Sequence, residues 1–412
     1  MLKTIKDLYK IYRPLVGEGF DKGLQYIKEM LPEMDILEFF TGKEYGTWTT
    51  PKRWNVKNAW IKHKGKKIID FKKEPLSLMV GSQPIHGVVG LKELKEHLFY
   101  DPANPEVIPY TYHYYGEDWG FNTTAKQYSE LKKGEYEVFI NSEYTDGKLT
   151  MGQYTIKGGD REVIIMVHLD HPYQANDNLS GVAAAIELAK TLKCKHTVKI
   201  VFVPETIGSV VYAHTQDLSK VDFGITLDMV GNDNTMLMQE TFGQIEKINK
   251  AGVMAMSIVA PNLYRKAPFR APLGADEYIF NDPLIAIPTI FFSRYPYKEY
   301  HSSADTPKII KEKSLKEIVE TVRKTIKFIE NDWIPVRQFK GPLMRFRYNI
   351  NQMSKEEGRK YDYFFYLMDG NRSLLELAYT CQLDVEKMEK LLNKMRKDGF
   401  IKKKPIPTNI SK

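Results

Sequence analysis

The stretch from Val167 to Gly181, VHLDHPYQANDNLSG, places two histidines, two aspartates and two asparagines between an apolar run and a glycine. Imidazole nitrogen with carboxylate oxygen, and no thiolate, is the donor set of a catalytic zinc or a related divalent ion. An ordinary turn needs one Asn or Asp with a Gly, not six polar side chains of this kind. Other apolar runs lead to similar residues: VKIVFVPETIGS to Glu205, GITLDMVGND to Asp228, and PTIFFSRYPYKEYHSSADTP to His301. Each alone has an ordinary explanation, because an Asp at a strand end commonly caps a helix or turn. Taken together they describe one sheet edge able to hold a metal and activate water.

The flanking elements fit that placement. REVIIMV, before His168, is β-branched and apolar, as a buried parallel strand is, and VAAAIELAKTL, after Ser180, is a good helix former with one apolar face. From Arg161 to about Trp333 such strands alternate with helical stretches, closed by the amphipathic SLKEIVETVRKTIKFIEND. This predicts an α/β fold: a mostly parallel mixed sheet with helices on both faces, and ligands outside the carboxyl ends of its strands. Residues 1–35 and 110–335 form the expected catalytic domain, its first 31 residues helical and broken near RPLVGEGF. Residues 36–109, with short alternating runs and the turn HKGKK, are expected to form a β-rich insert. YEVFINSEYTDGKLTMGQYTIKG reads as a hairpin with Asp146 and Gly147 at its tip. The aromatic stretch Tyr110 to Phe121 is either cleft lining or core.

WIPVRQFKGP reads as a linker to residues 342–412, whose three short helices and strand follow the pattern of a small winged helix. Leu383, Met388, Leu391, Leu392 and Met395 mark the buried face of its third helix, and Lys387, Lys390, Lys394 and Lys397 lie opposite. Net charge is +8; from Gly341 onward there are 15 Lys and Arg against 9 Asp and Glu, so +6 of it belongs to the tail. Four lysines on one face suffice to touch DNA phosphates, but a protein contact, including one between copies of the chain, is the favoured role. No apolar run approaches the ~20 residues that span a bilayer, and MLKTIKDLYKIYRP lacks a signal-peptide core. Cys194 and Cys381 read as free thiols. A cytoplasmic protein without a membrane partner is expected.

HLDHPYQANDNLSG, TLDMVG and YHSSADTP resemble the zinc-dependent exopeptidases of the aminopeptidase type, the superfamily of bacterial leucyl aminopeptidases and glutaminyl cyclases. That resemblance covers about residues 120–333. IPYTYHYYGEDWGF, PETIGS and GADEYIF extend it over nearly the whole chain, to a branch with an inserted small β domain and a C-terminal winged helix. The resemblance implies zinc as cofactor, one or two ions per chain. His168 and Asp228 would hold the first ion, Asp177 would be shared, and His301 would belong to the second. Asp170 would accept the other ring N–H of His168, and Glu205 would be the general base for attack of water on an amide. The family pattern has two consecutive glutamates where this chain has Glu205 and Thr206. So Glu205 is either base or ligand, and His171 either replaces the lost ligand or lines the pocket. Arg294 is a candidate to pair a substrate carboxylate, and Asp276 and Glu277 to hold a free α-amino group.

The expected function is therefore a metal-dependent hydrolase, first of all an aminopeptidase. Glutaminyl cyclisation or deacylation of a sugar conjugate would use the same site. The competing reading is a ligand-sensing regulator that keeps the peptidase fold and binds DNA through its tail. A sensor has little use for His168, Asp177, Asp228, His301 and Glu205 together.

Overall fold

The computed structural model describes residues 1–406 except 245 and 351–353. Its main sheet has eight strands, and four parallel ones form its centre, in the order Thr197–Val203, Glu162–His168, Val221–Leu227 and Thr289–Ser293. Met236–Gln239 and Tyr264–Ala267 extend one side, antiparallel to the centre. On the other side Lys148–Ile156 is antiparallel to the centre, and the edge strand Asp35–Phe40, antiparallel to it, runs parallel to the centre again. Period-two alternation sorts the central residues onto two cores. Val163, Ile165 and Val167 pack with the helices Gly181–Thr191 and Glu312–Glu330, whereas Ile164 and Met166 pack with Ile207–Thr215. Burial on both faces explains why REVIIMV is apolar at every position from Val163 to Val167.

The insert is a separate antiparallel sheet in the order Lys66–Asp70, Arg53–His63, Glu135–Thr145, Ile85–Gly90. Lys64 and Gly65 make its tight turn, both at positive φ (49° and 74°). Its extent differs from residues 36–109 at both ends. Asp35–Phe40 lies on the edge of the main sheet, and Glu135–Thr145 lies within the small one. The expected hairpin at Asp146 and Gly147 is not formed. Glu135–Thr145 pairs with Arg53–His63, from Thr145 opposite Arg53 to Tyr136 opposite His63, while Lys148–Ile156 pairs into the main sheet. The two-residue turn thus carries the chain from one sheet to the other.

The tail comprises the helices Lys355–Leu367, Leu374–Cys381 and Val385–Lys397 and the strand Ile401–Lys404. That strand pairs with Ile334–Arg337, so part of the expected linker is a strand of the tail. Phe364, Leu377, Met388, Leu392 and Met395 share one core with Met254, Phe328 and Trp333 of the main domain, which fixes the tail against it. Lys387, Lys390, Lys394 and Lys397 are exposed, as the spacing predicts. Among the described residues no helix is long and apolar enough to cross a membrane, and Cys194 and Cys381 are free thiols.

Candidate metal centre

The four central strands deliver their polar ends to one edge. His168 closes Glu162–His168, Glu205 stands two residues past Val203, and Asp228 follows Leu227 directly. His301 arrives on the segment after Ser293. Between His168 and the helix Gly181–Thr191 the chain makes the turn Ala175–Ser180 that carries Asp177. Gly181 starts that helix where a Cβ would sit 2.6 Å from the Leu227 carbonyl, so a glycine is needed for the helix to approach the Asp228 strand. The turn is held by Asp305, fully buried, whose carboxylate accepts from the backbone N–H groups of Ala175 (3.2 Å), Asn176 (2.7 Å) and Asp177 (3.2 Å). The Tyr297 hydroxyl donates to the same carboxylate at 2.8 Å. Burial pushes Asp305 up to about 7, against these hydrogen bonds.

Three imidazoles converge on Asp177. His168 Nε2 lies 3.0 Å and His171 Nδ1 3.1 Å from its Oδ1, and His301 Nε2 lies 2.9 Å from its Oδ2. Asp228 Oδ1 is 3.9 Å from His168 Nε2. His171 Nε2 reaches Glu205 Oε2 at 3.1 Å and Asp170 Oδ2 at 3.6 Å.

The cluster fits a divalent cation on two counts. Asp228 Oδ1, Asp170 Oδ2 and His301 Nε2 are buried and make no hydrogen bond of acceptable geometry, although His301 is so close to Asp177. Nitrogen and carboxylate oxygen atoms gathered about 3–4 Å apart, some of them without a hydrogen-bond partner, are spaced as ligands of one ion, each about 2.0–2.2 Å from it, would be. The second count is charge: Asp170, Asp177, Asp228 and Glu205 stand against three imidazoles that are neutral when they ligate. Burial pulls the His168 imidazole down, yet Asp228, Glu205 and Asp177 outweigh it and lift it to about 10. His171 is driven well up by Asp177 and Asp170, again against burial. Burial pushes Asp228 well above the carboxylate range, helped by Asp177 and Glu205, while the imidazoles overcome burial to hold Asp177 well below it. A divalent cation at the cluster would take the place of the protons these imidazoles otherwise hold beside the carboxylates.

Residues 2–332 match a family model described as a domain of unknown function, DUF4910. The chain belongs to that family. This DUF4910 chain is 33% identical over 404 residues to a Clostridium acetobutylicum protein, covering 93% of this chain and 92% of the relative. That relative carries the provisional name of a polysaccharide biosynthesis protein with an aminopeptidase-like domain. A crystal structure from the same organism, provisionally named a peptidase, superposes with a TM-score of 0.85 at 30% identity, covering 98% of this chain and 96% of that one. A zinc aminopeptidase of Bacillus subtilis shares the fold at a TM-score of 0.59 and 14% identity, over 80% of this chain and 94% of its own. The DUF4910 main sheet with its helices is thus a zinc-aminopeptidase fold.

Within this DUF4910 chain, His168, His171, Asp177, Asp228, His301, Glu205 and Asp170 meet in one cluster. Four other expectations need correction. Asp170 does not pair with His168: its Oδ1 accepts from Glu205 N at 2.8 Å and its other oxygen turns to His171. His168 Nδ1 instead faces Asp276 Oδ2 at 3.9 Å and the Asn178 amide at 3.5 Å. The Asn178 amide nitrogen also donates to the Leu227 carbonyl at 2.8 Å, and Asp276 Oδ2, which makes no hydrogen bond, is the carboxylate oxygen facing the ring. Asp276, 0% exposed, is therefore unable to hold a substrate amine; its Oδ1 accepts from Thr206 N (2.9 Å) and Ser209 Oγ (2.7 Å). Glu277, also 0% exposed, accepts from Ala275 N at 2.8 Å. Arg294 is buried against Glu317 at 2.5 Å and donates to the Asn234 carbonyl, so it braces the helix Glu312–Glu330 and offers nothing to a substrate. Sequence reasoning missed Asp305 and the place of Asp276 beside the His168 ring; the former sits inside YHSSADTP, four residues past His301.

Proposed function

We propose that this chain is a metal-dependent amide hydrolase. The observation that carries the reading is the convergence of three imidazoles on Asp177, with buried unpaired donors, next to the partly exposed carboxylate of Glu205. His168, Asp177 and Asp228 would hold the ion, with His301 and His171 beside them, and an N/O donor set of this kind suits zinc. When bound, such an ion polarises an amide carbonyl and acidifies water.

Glu205 is the general base. Its backbone N–H is fixed by Asp170 and its carboxylate by His171, which aims it along the cleft. Burial acts to raise it, while His168 and His171 outweigh burial and lower it; a bound cation would take over from these imidazoles in favouring the carboxylate that accepts the proton. Water oxygen bonds to the carbonyl carbon, Glu205 takes the water proton and passes it to the departing nitrogen, and the C–N bond breaks. The zinc-aminopeptidase fold and a relative whose provisional name joins an aminopeptidase-like domain to polysaccharide biosynthesis both support an amide substrate. The sensor reading draws on Lys387, Lys390, Lys394 and Lys397 alone and leaves the buried cluster without a purpose.

The test is Glu205→Gln. Loss of the base slows amide hydrolysis by about 10²–10⁴-fold while the metal stays bound. Full activity in this variant removes Glu205 from the role.

A further inference from the structure

The cleft that opens at Glu205 has a volume of about 440 Å³ and is walled by Leu15, Trp48, Tyr112, Tyr114, Tyr115 and Ile207. Among the described residues lining it, Glu205 is the one carboxylate, and no lysine or arginine takes part. Glu205 is itself engaged by His171. The charged groups that could read an amino acid's ends are closed off: Asp276 and Glu277 are sealed in the core, and Arg294 is held by Glu317. Among the described lining residues only the His113 imidazole could meet a free carboxylate, and only Glu205, already engaged by His171, a free α-ammonium, and bringing such an ammonium in unpaired is costly.

What the cleft does offer is flat aromatic surface. Tyr112 and Tyr115 are 50% and 56% exposed and Trp48 36%, and Tyr112 stacks on Tyr114 with ring centroids 5.1 Å apart and planes 21° apart. The platform is rigid and tied to the metal cluster. Tyr110 N donates to the His301 carbonyl at 2.7 Å, His113 N to the Val80 carbonyl at 2.8 Å, and the Tyr115 hydroxyl to the Thr49 carbonyl at 2.7 Å. At Gly116 a Cβ would lie 1.9 Å from the His113 ring, so the segment closes only around a glycine. Fixed, exposed rings give affinity at small ordering cost.

We propose that the substrate is an uncharged N-acyl amide whose attached ring stacks on Trp48, Tyr112 and Tyr115, not a peptide with a free amino terminus. The ring presents a flat, neutral face, as does the pyranose of an N-acylated amino sugar or the aryl side chain of an N-blocked peptide. This deepens the amide-hydrolase reading and rests on it for turnover but not for binding. Cleavage adds water across the C–N bond and yields a carboxylic acid and an amine.

The experiment is calorimetric binding to the metal-loaded full chain of three probes: methyl N-acetylglucosaminide, N-acetylphenylalaninamide and phenylalaninamide, whose amine is free. At least one neutral probe binds about 10-fold or more tighter than phenylalaninamide, and Tyr112→Ala and Trp48→Ala each weaken it about 3–10-fold with unchanged melting. Which neutral probe binds identifies the source of the ring. Equal or tighter binding of phenylalaninamide, no binding of either neutral probe, or wild-type affinity in both folded variants overturns the inference. Hydrolysis is followed separately: a neutral probe that binds through these rings but whose class is never cleaved sinks the hydrolase reading and leaves the binding site standing.

Discussion

Replacing Asp276 by Asn tests whether its unpaired Oδ2, 3.9 Å from His168 Nδ1, orients that ring. The Asn side-chain oxygen keeps both hydrogen bonds now made by Oδ1, from Thr206 N at 2.9 Å and Ser209 Oγ at 2.7 Å. Burial holds Asp276 up at about 6, so a neutral amide of the same shape relieves a desolvation cost and the fold stays intact. The change is confined to the second atom, 3.9 Å from His168 Nδ1, where an acceptor becomes a donor. The imidazole then favours its proton on Nε2, the nitrogen that faces Asp177 and would ligate the ion. Loss of such an orienting partner lowers metal affinity by about 10–100-fold. Competition for zinc against a chromogenic chelator reads this directly, with thermal melting as the control. Wild-type affinity in a folded Asp276→Asn variant refutes the assignment, and the same loss in Asp170→Asn, with Asp276→Asn inert, returns the role to Asp170.

Other outcomes follow from groups away from the cluster. His196 is held between Glu330 at 2.9 Å and Asp222 at 3.2 Å, and these carboxylates outweigh burial to lift it to about 9. Its folded value exceeds the ordinary 6.5, so the stabilisation is complete below about pH 6.5 and disappears as pH rises through about 9. Discounted for partial exposure this is about 1–2 kcal/mol, visible as a steeper pH 6 to 10 loss of denaturant stability in wild type than in His196→Gln; parallel curves refute it. Arg294→Met leaves Glu317 with only the exposed Lys313, at 3.7 Å, and lowers stability by about 2–4 kcal/mol without altering KM for a neutral amide; a raised KM in the folded variant restores Arg294 as a substrate contact. Met388→Ala empties a fully buried position of the tail core and costs about 2–5 kcal/mol, read by chemical denaturation; a change under 1 kcal/mol means that the tail core is not packed as described.

The sheet edge was legible because each central strand announces itself locally. Val163 to Val167 and Ile200 to Val203 are apolar runs followed by polar groups, and buried parallel strands need both features. Connections that depend on distant partners were not legible. Asp146 and Gly147 carry a hairpin signal, yet whether the flanking strands pair with each other or with Arg53–His63 and Asp35–Phe40 is decided by contacts far along the chain. The same holds inside the site. His168 and Asp170 are two residues apart in an extended run, which suggested a pair. The chain turns at Asp170 so that its carboxylate caps Glu205 N instead, and the carboxylate that faces His168 Nδ1 belongs to Asp276, over a hundred residues away. Arg294 drew interest by its charge at a strand end, and only the packing of Glu312–Glu330 shows that Glu317 has claimed it.

The central claim is that His168, Asp177 and Asp228 bind a divalent cation, and metal content per chain measured by elemental mass spectrometry on protein purified without chelator tests it. The account predicts about one or two equivalents of zinc or a similar ion in wild type and close to none in folded Asp177→Ala. No metal in wild type even after zinc is added back, or the same content in Asp177→Ala, contradicts it.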